Sequence, residues 1–164
     1  MRPVWTVSWC PRVAWGAGLV GSMPEVRRQG RRSDISLAYT GAVWEVSLHA
    51  EVEEWFLDLC RTDPVSANLV AEAIDVLAER GPALGRPLVD RLKGSMYHHM
   101  KELRPASSGT SEVRLIFAFD PTREAVFLVA GDKSGRWQSW YRTAIPLADE
   151  RFTEHLAALK EEGT

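Results

Sequence analysis

The chain predicts a single α+β domain with the element order β-α-α-β-β-β-α: a mostly antiparallel sheet, a helix pair packed on one face, and a C-terminal helix. Three observations predict it. Val113, Leu115, Phe117 and Phe119 fall at every second position, and a turn at 120–123 leads into a further apolar run at 125–130, which together read as a hairpin. Upstream, two stretches carry apolar residues at helical spacing, with only a short break between them. The last stretch repeats that spacing through Phe152, Leu156 and Leu159. Helices joined by so short a break pack side by side, and consecutive strands form a meander for them to cover.

The elements follow in order. Over 43–48, Trp44, Val46 and Leu48 share one side of a strand, with Glu45 and Ser47 on the other. Val52, Trp55, Phe56 and Leu59 form one helical stripe, so these two aromatic residues read as core. Asp63 suits an N-cap and Pro64 the first helical position. Val70, Ala73, Ile74 and Leu77 continue the second helix until Gly81-Pro82 stops it. Residues 81–95, rich in Gly and Pro, read as loop. A strand is expected over 97–105, with Met100, Glu102 and Arg104 on one side and His99, Lys101 and Leu103 on the other. In the next strand, 112–119, Arg114 lies opposite the apolar face and is expected to point outward. The final helix is expected over 147–160.

Residues 1–42 differ from the rest. They hold Trp5, Trp9 and Trp15, the basic run Arg27, Arg28, Arg31 and Arg32, and no sustained period of 2 or 3.6. They read as an N-terminal extension, an arm or a disordered stretch, or as the product of a start site placed too early. Residues 43–164 read as the domain. Pro11 and Arg12 interrupt the apolar stretch after Arg2, which argues against a signal peptide.

Composition narrows the function classes. The 164 residues are 45% hydrophobic, with a formal net charge of −2, so the molecule as a whole does not attract nucleic acid. The distribution is uneven: 45–80 holds nine acids against Arg61 and Arg80, whereas 86–142 holds ten Lys/Arg against six acids. A local positive surface on the strand-rich half follows. Cys10 and Cys60 make neither a disulfide framework nor a metal site, and a reducing, cytoplasmic compartment fits them best. No apolar run reaches the roughly 20 residues that span a bilayer. The phosphate-loop pattern, H-E-x-x-H and G-x-S-x-G are absent.

Four strings carry a family resemblance: Leu84-Gly85-Arg86-Pro87 with Leu92-Lys93-Gly94, Lys101-Glu102-Leu103-Arg104, Val113-Arg114-Leu115-Ile116-Phe117, and Gly131-Asp132-Lys133. In this order, and on these elements, the chain resembles the RelE/ParE superfamily of toxins from type II toxin–antitoxin systems, in its HigB-like, phage-derived (Gp49-like) branch. The resemblance covers about residues 43–160. It implies a RelE-like fold, a helix-turn-helix (HigA-like) antitoxin as partner, and cleavage of mRNA on the ribosome with no metal or other cofactor. In such cleavage a 2′-hydroxyl attacks the adjacent phosphate. An arginine fork matches phosphate oxygens and stays charged.

By the resemblance, Arg114 matches the arginine of the third strand, Arg104 a basic position closing the second, and Lys133 a basic or acid–base position after the fourth. Tyr141 matches an aromatic residue that stacks on a base or aids proton transfer. Best-known members place two lysines on the second strand where Met100 and Glu102 stand here. Glu102 is then either a general base or the partner that orients Arg104 or Arg114. His99 is a second candidate base, and Lys93, His99 and Lys101 are candidate RNA contacts. Arg136, Trp137, Trp140 and Arg142 interleave basic and aromatic side chains as a base-stacking surface would; equally, the tryptophans cover the sheet edge and seat the last helix. Two other readings stand beside the nuclease: a ParE-like gyrase inhibitor, and a catalytically degenerate module that only binds its antitoxin.

Overall fold

The computed structural model describes residues 44–163; the expectations for residues 1–42 lie outside that range. The elements run β1 (Glu45–Leu48), α1 (Ala50–Thr62), α2 (Pro64–Arg80), a 3-10 turn (Gly81–Ala83), β2 (Val89–Arg91), β3 (Lys101–Leu103), β4 (Val113–Phe119), β5 (Glu124–Asp132) and α3 (Trp137–Glu162). The sheet has the order β1-β5-β4-β3-β2, with β1 parallel to β5 and the other pairs antiparallel. The α+β architecture, the helix pair and the antiparallel meander are as predicted.

Local chemistry sets the helix boundaries. The His49 imidazole accepts the Glu51 N–H at 3.3 Å and starts α1. Asp63 caps α2, accepting the Ser66 N–H at 3.0 Å, with Pro64 in the first turn. Gly81 ends α2 at φ +57°, and a Cβ there would collide with the Trp44 indole, so both conformation and space demand glycine.

Both faces of the sheet are buried. Val52, Val70, Ile74 and Leu77 from the helix pair pack on Leu103, Leu115, Phe117 and Phe127. On the other face Ala144, Ala148 and Phe152 of α3 pack on Ile116, Ala118, Val126 and Leu128. A bulge opposite Ile116 and Phe117 sends both Leu128 and Val129 toward α3.

Four expectations are corrected. The strand expected over 97–105 is only Lys101–Leu103. Residues before it form a turn, closed by the Met100 N–H on the Tyr97 carbonyl at 3.1 Å. Asp149 of α3 holds this loop through Ser95 Oγ (2.5 Å) and the Met96 N–H (3.0 Å), and so overrides the local alternation. His99 therefore lies in a turn and not on a strand face with Lys101 and Leu103. The presumed loop 81–95 contains β2, which exists only through its ladder with β3.

The last helix begins ten residues earlier than expected and carries Pro146 inside it. Proline there removes one helical hydrogen bond. The flanking turns are nonetheless seated, through Tyr141 on β3 and through buried Ala144 and Ala148. Finally, Arg114 does not point into solvent: its face is the one α3 covers, and it is half-buried.

Candidate functional site

The sheet face beneath the first turns of α3 brings together four of the five candidate catalytic residues: Glu102 bonds Arg104 and Tyr141, and Arg114 shares the face. Glu102 stands on β3 in register with Ile116 of β4, so it shares a face with Arg114 two residues away. Its side chain is only 5% exposed, and both oxygens are used. Oε1 accepts Arg104 Nε at 2.7 Å and Nη2 at 2.6 Å, a bidentate approach of the guanidinium fork to one oxygen. Oε2 accepts the Tyr141 hydroxyl at 2.5 Å. Glu102 thus holds both Arg104 and Tyr141.

The electrostatics follow from this closure. Burial, and then the hydrogen bond to Glu102, push the Tyr141 phenol well above its ordinary range, so it is a neutral donor at any physiological pH. Burial works against the Arg104 charge, but the Glu102 hydrogen bond and the Glu102 and Asp90 charges outweigh it and raise its pKa. Asp90 of β2 also lies 2.8 Å from Arg86 Nη2 and 3.5 Å from Arg104 Nη1, and these cations hold its carboxyl below the usual range. The pair Arg86 and Asp90 was missed by sequence, because β2 itself has no signature outside its ladder.

Arg114 donates Nη1 to the Val113 carbonyl at 2.6 Å, while its buried Nε has no hydrogen-bond partner among the described residues. Asp132 and Tyr141 both feel its charge. Asp132 gathers the Glu112 N–H and the Ser134 N–H, each at 2.9 Å, and fixes the turn after β5. Lys133 is the fifth candidate. It pairs with Glu112 at 3.5 Å and is mostly covered. Of the ten basic residues over 86–142, Arg86, Arg104 and Lys133 each face a carboxylate, so the charge of these three is compensated locally.

The candidate RNA contacts do not form one patch. Lys101 is in register with Phe117 and so lies on the helix-pair face, away from Glu102. Lys93 is exposed on the loop between β2 and β3. His99 is on the same loop, edge-on to Phe152 at 5.6 Å. Arg136, Trp137 and Arg142 line a shallow recess of about 320 Å³ at the start of α3. Trp137 is 56% exposed. Trp140 instead packs on Gly131, where an added Cβ would lie 2.7 Å from the indole nitrogen. The two tryptophans thus divide the two readings, one free to stack and one seating the helix.

One group of potential metal ligands exists among the described residues: Asp120, Glu124 and His155 have donor atoms within 4.8 Å. Asp120 is already satisfied by the Thr122 and Glu124 N–H groups, the Thr122 hydroxyl and His155, so this is a buried polar bracket between the β4–β5 turn and α3. No helix among the described residues is long and apolar enough to cross a membrane.

A mostly antiparallel sheet between a helix pair and a C-terminal helix, with an arginine–carboxylate–tyrosine group on one face, defines a small RelE-like α+β domain. The model of the family described as phage derived protein Gp49-like matches residues 58–153, more than half of the chain. The chain is 46% identical over 140 residues to the toxin candidate HigB2 of Mycobacterium tuberculosis, covering 85% of this chain and 68% of that one. It is 50% identical over 113 residues to the toxin candidate HigB3 of the same organism, covering 69% and 94%. The protein belongs to the Gp49-like family and is a HigB-like toxin. The 140 matched residues outnumber those from Trp44 to the end, so similarity to HigB2 extends into the segment before β1.

Proposed function

We propose that this HigB-like toxin inhibits translation as a metal-independent endoribonuclease that cuts mRNA on the ribosome, and that a helix-turn-helix, HigA-like antitoxin neutralises it in the cytoplasm. The observation that carries the reading is the preorganised pair Arg104 and Arg114 beside Tyr141, on one sheet face, with Arg104 locked by Glu102. Cleavage by 2′-hydroxyl attack needs an acceptor for the 2′-hydroxyl proton, a role for His99 or solvent water, together with charge stabilisation on the phosphorane and a proton donor to the leaving 5′-oxygen. Fixed cations in a partly dry site supply the charge stabilisation at little reorganisation cost. The half-buried Arg114 guanidinium is the donor for a phosphate oxygen. Tyr141, held neutral, has one proton, which it gives to Glu102 Oε2 in this structure; turned from that carboxylate, it donates to the leaving 5′-oxygen. Glu102 acts as a positioning residue. Trp137 and Arg136 offer a stacking surface at the rim.

The degenerate-module reading is favoured by one observation: Glu102 replaces a basic position and neutralises Arg104. Inducible expression of the full chain in a bacterium, with and without Arg114→Ala, followed by mapping of mRNA 5′ ends, separates the readings. Growth arrest with new ribosome-phased ends, lost in the variant, supports the nuclease. Arrest with a DNA-damage response and no new ends points to gyrase. Soluble protein that leaves growth and mRNA unchanged leaves the antitoxin-binding module.

A further inference from the structure

Two carboxylates stand side by side in the candidate site. Asp90 of β2 is the direct cross-strand partner of Glu102 on β3, so both lie on the sheet face that carries Arg114. Like charges placed directly opposite each other repel. Arg104 is the cation between them: Nε and Nη2 lie 2.7 and 2.6 Å from Glu102 Oε1, and Nη1 lies 3.5 Å from Asp90 Oδ2. Its backbone is tied to the same side, because the Arg104 N–H reaches the carbonyl of Leu88, just before β2, at 2.8 Å.

The two contacts do different things. Both bonds to Glu102 end on one oxygen, and Tyr141 takes the other, so Glu102 alone leaves the guanidinium plane able to pivot. A second fixed charge at the far end of the fork removes that pivot, and Asp90 stands there. At 3.5 Å the contact is beyond ordinary hydrogen-bond length, so it directs Nη1 by charge without claiming its protons. Asp90 is itself anchored. Its Oδ1 accepts the Arg86 Nε–H at 3.1 Å and the Arg91 N–H at 2.9 Å, and Arg86 Nη2 lies 2.8 Å from Oδ2.

We propose that Asp90 is a positioning residue for mRNA cleavage, setting the direction in which Arg104 presents Nη1 to the scissile phosphate; this rests on the nuclease reading of the site. Asp90 acts through Arg104 and not on the RNA. Its loss has two opposed consequences. Removing a negative charge beside the phosphate favours RNA binding. Freeing the guanidinium to pivot misplaces a group that stabilises the transition state, which slows the chemical step.

The test compares the full chain with Asp90→Asn, which keeps an oxygen for the Arg91 N–H and removes the charge. In NMR spectra of nitrogen-labelled protein, the Arg104 Nη protons are expected to give separate, slowly rotating signals that merge in the variant, while the Nε–H held by Glu102 keeps its own. In ribosome-programmed cleavage, kcat is expected to fall about tenfold with KM unchanged or lower. In an Arg104→Lys background, which has no plane to orient, the same change is expected to lower kcat no further. Wild-type Arg104 signals or a wild-type kcat in the variant overturns the proposal. So does an equal fall of kcat in both backgrounds, which marks a purely structural role. Should Asp90→Asn loosen β2, seen as faster exchange of the Arg104 amide, Asp90→Glu decides: restoring the charge is expected to recover most of the lost rate, and a fall as large as that of Asp90→Asn overturns the proposal. If the unaltered chain cuts no mRNA, the nuclease reading fails and this role with it; cleavage that the variants leave unchanged removes Asp90 alone.

Discussion

The Tyr141 hydroxyl donates to Glu102 Oε2 at 2.5 Å, joining the first turns of α3 to β3 across 39 residues of chain. Because the Glu102 side chain is 5% exposed, an oxygen that loses this donor is left buried and unpaired. Tyr141→Phe is expected to lower stability by about 1–3 kcal/mol. Urea unfolding of the two proteins, compared at equal slope, checks this; an unchanged midpoint would show that α3 is not anchored here.

Arg114 is expected to matter for cleavage more than for folding. In Arg114→Ala, the rate of mRNA cleavage in a ribosome-programmed assay should fall by about 10²-fold or more. Arg114→Lys should rescue little, since an ammonium lacks the planar fork. Near-wild-type cleavage by the alanine variant would remove Arg114 from the site.

Gly131 is confined by Trp140. A Cβ at this position meets the indole nitrogen at 2.7 Å, so Gly131→Ala should cost about 1–3 kcal/mol through overpacking against α3. The double variant with Trp140→Leu should recover part of that loss. Additive losses in a double-mutant cycle would contradict the contact.

Asp120 makes acid stability readable. Burial raises its pKa, but the His155 hydrogen bond and the Glu124 and Thr122 donors outweigh it, so the folded value lies below the ordinary 3.8. A carboxyl depressed in the folded state contributes stability that is present above its unfolded value and is lost as pH falls through the folded one. The contribution should therefore be intact above about pH 4 and fade below it. Denaturant midpoints measured from roughly pH 2 to 6 should fall less steeply on the acid side for Asp120→Asn than for the wild type.

Much of the architecture is written in local pattern. Asp63, Pro64 and Gly81 set the limits of α2 because capping and φ are properties of a few adjacent atoms. The alternation of Val113 to Phe119 marked β4 and its inner face. Three features left no local trace. β2 is three residues long and owes its strand conformation to pairing with β3. The loop before β3 reads as strand until Asp149, from α3, captures it. Pro146 reads as a boundary until buried neighbours on both sides carry the helix through it.

The candidate site divides in the same way. Sequence by itself determined which residue types were present, and that Arg114 lies opposite the apolar stripe of β4. Periodicity and side-chain chemistry are local, and they suffice for that. Only the tertiary structure decided that α3 lies over this face, that Tyr141 reaches Glu102, that Asp90 joins Arg104, and that Lys101 faces the other way. Those relationships depend on how layers stack and which strands pair. They are set by burial summed over the whole chain, and no short stretch of residues encodes them.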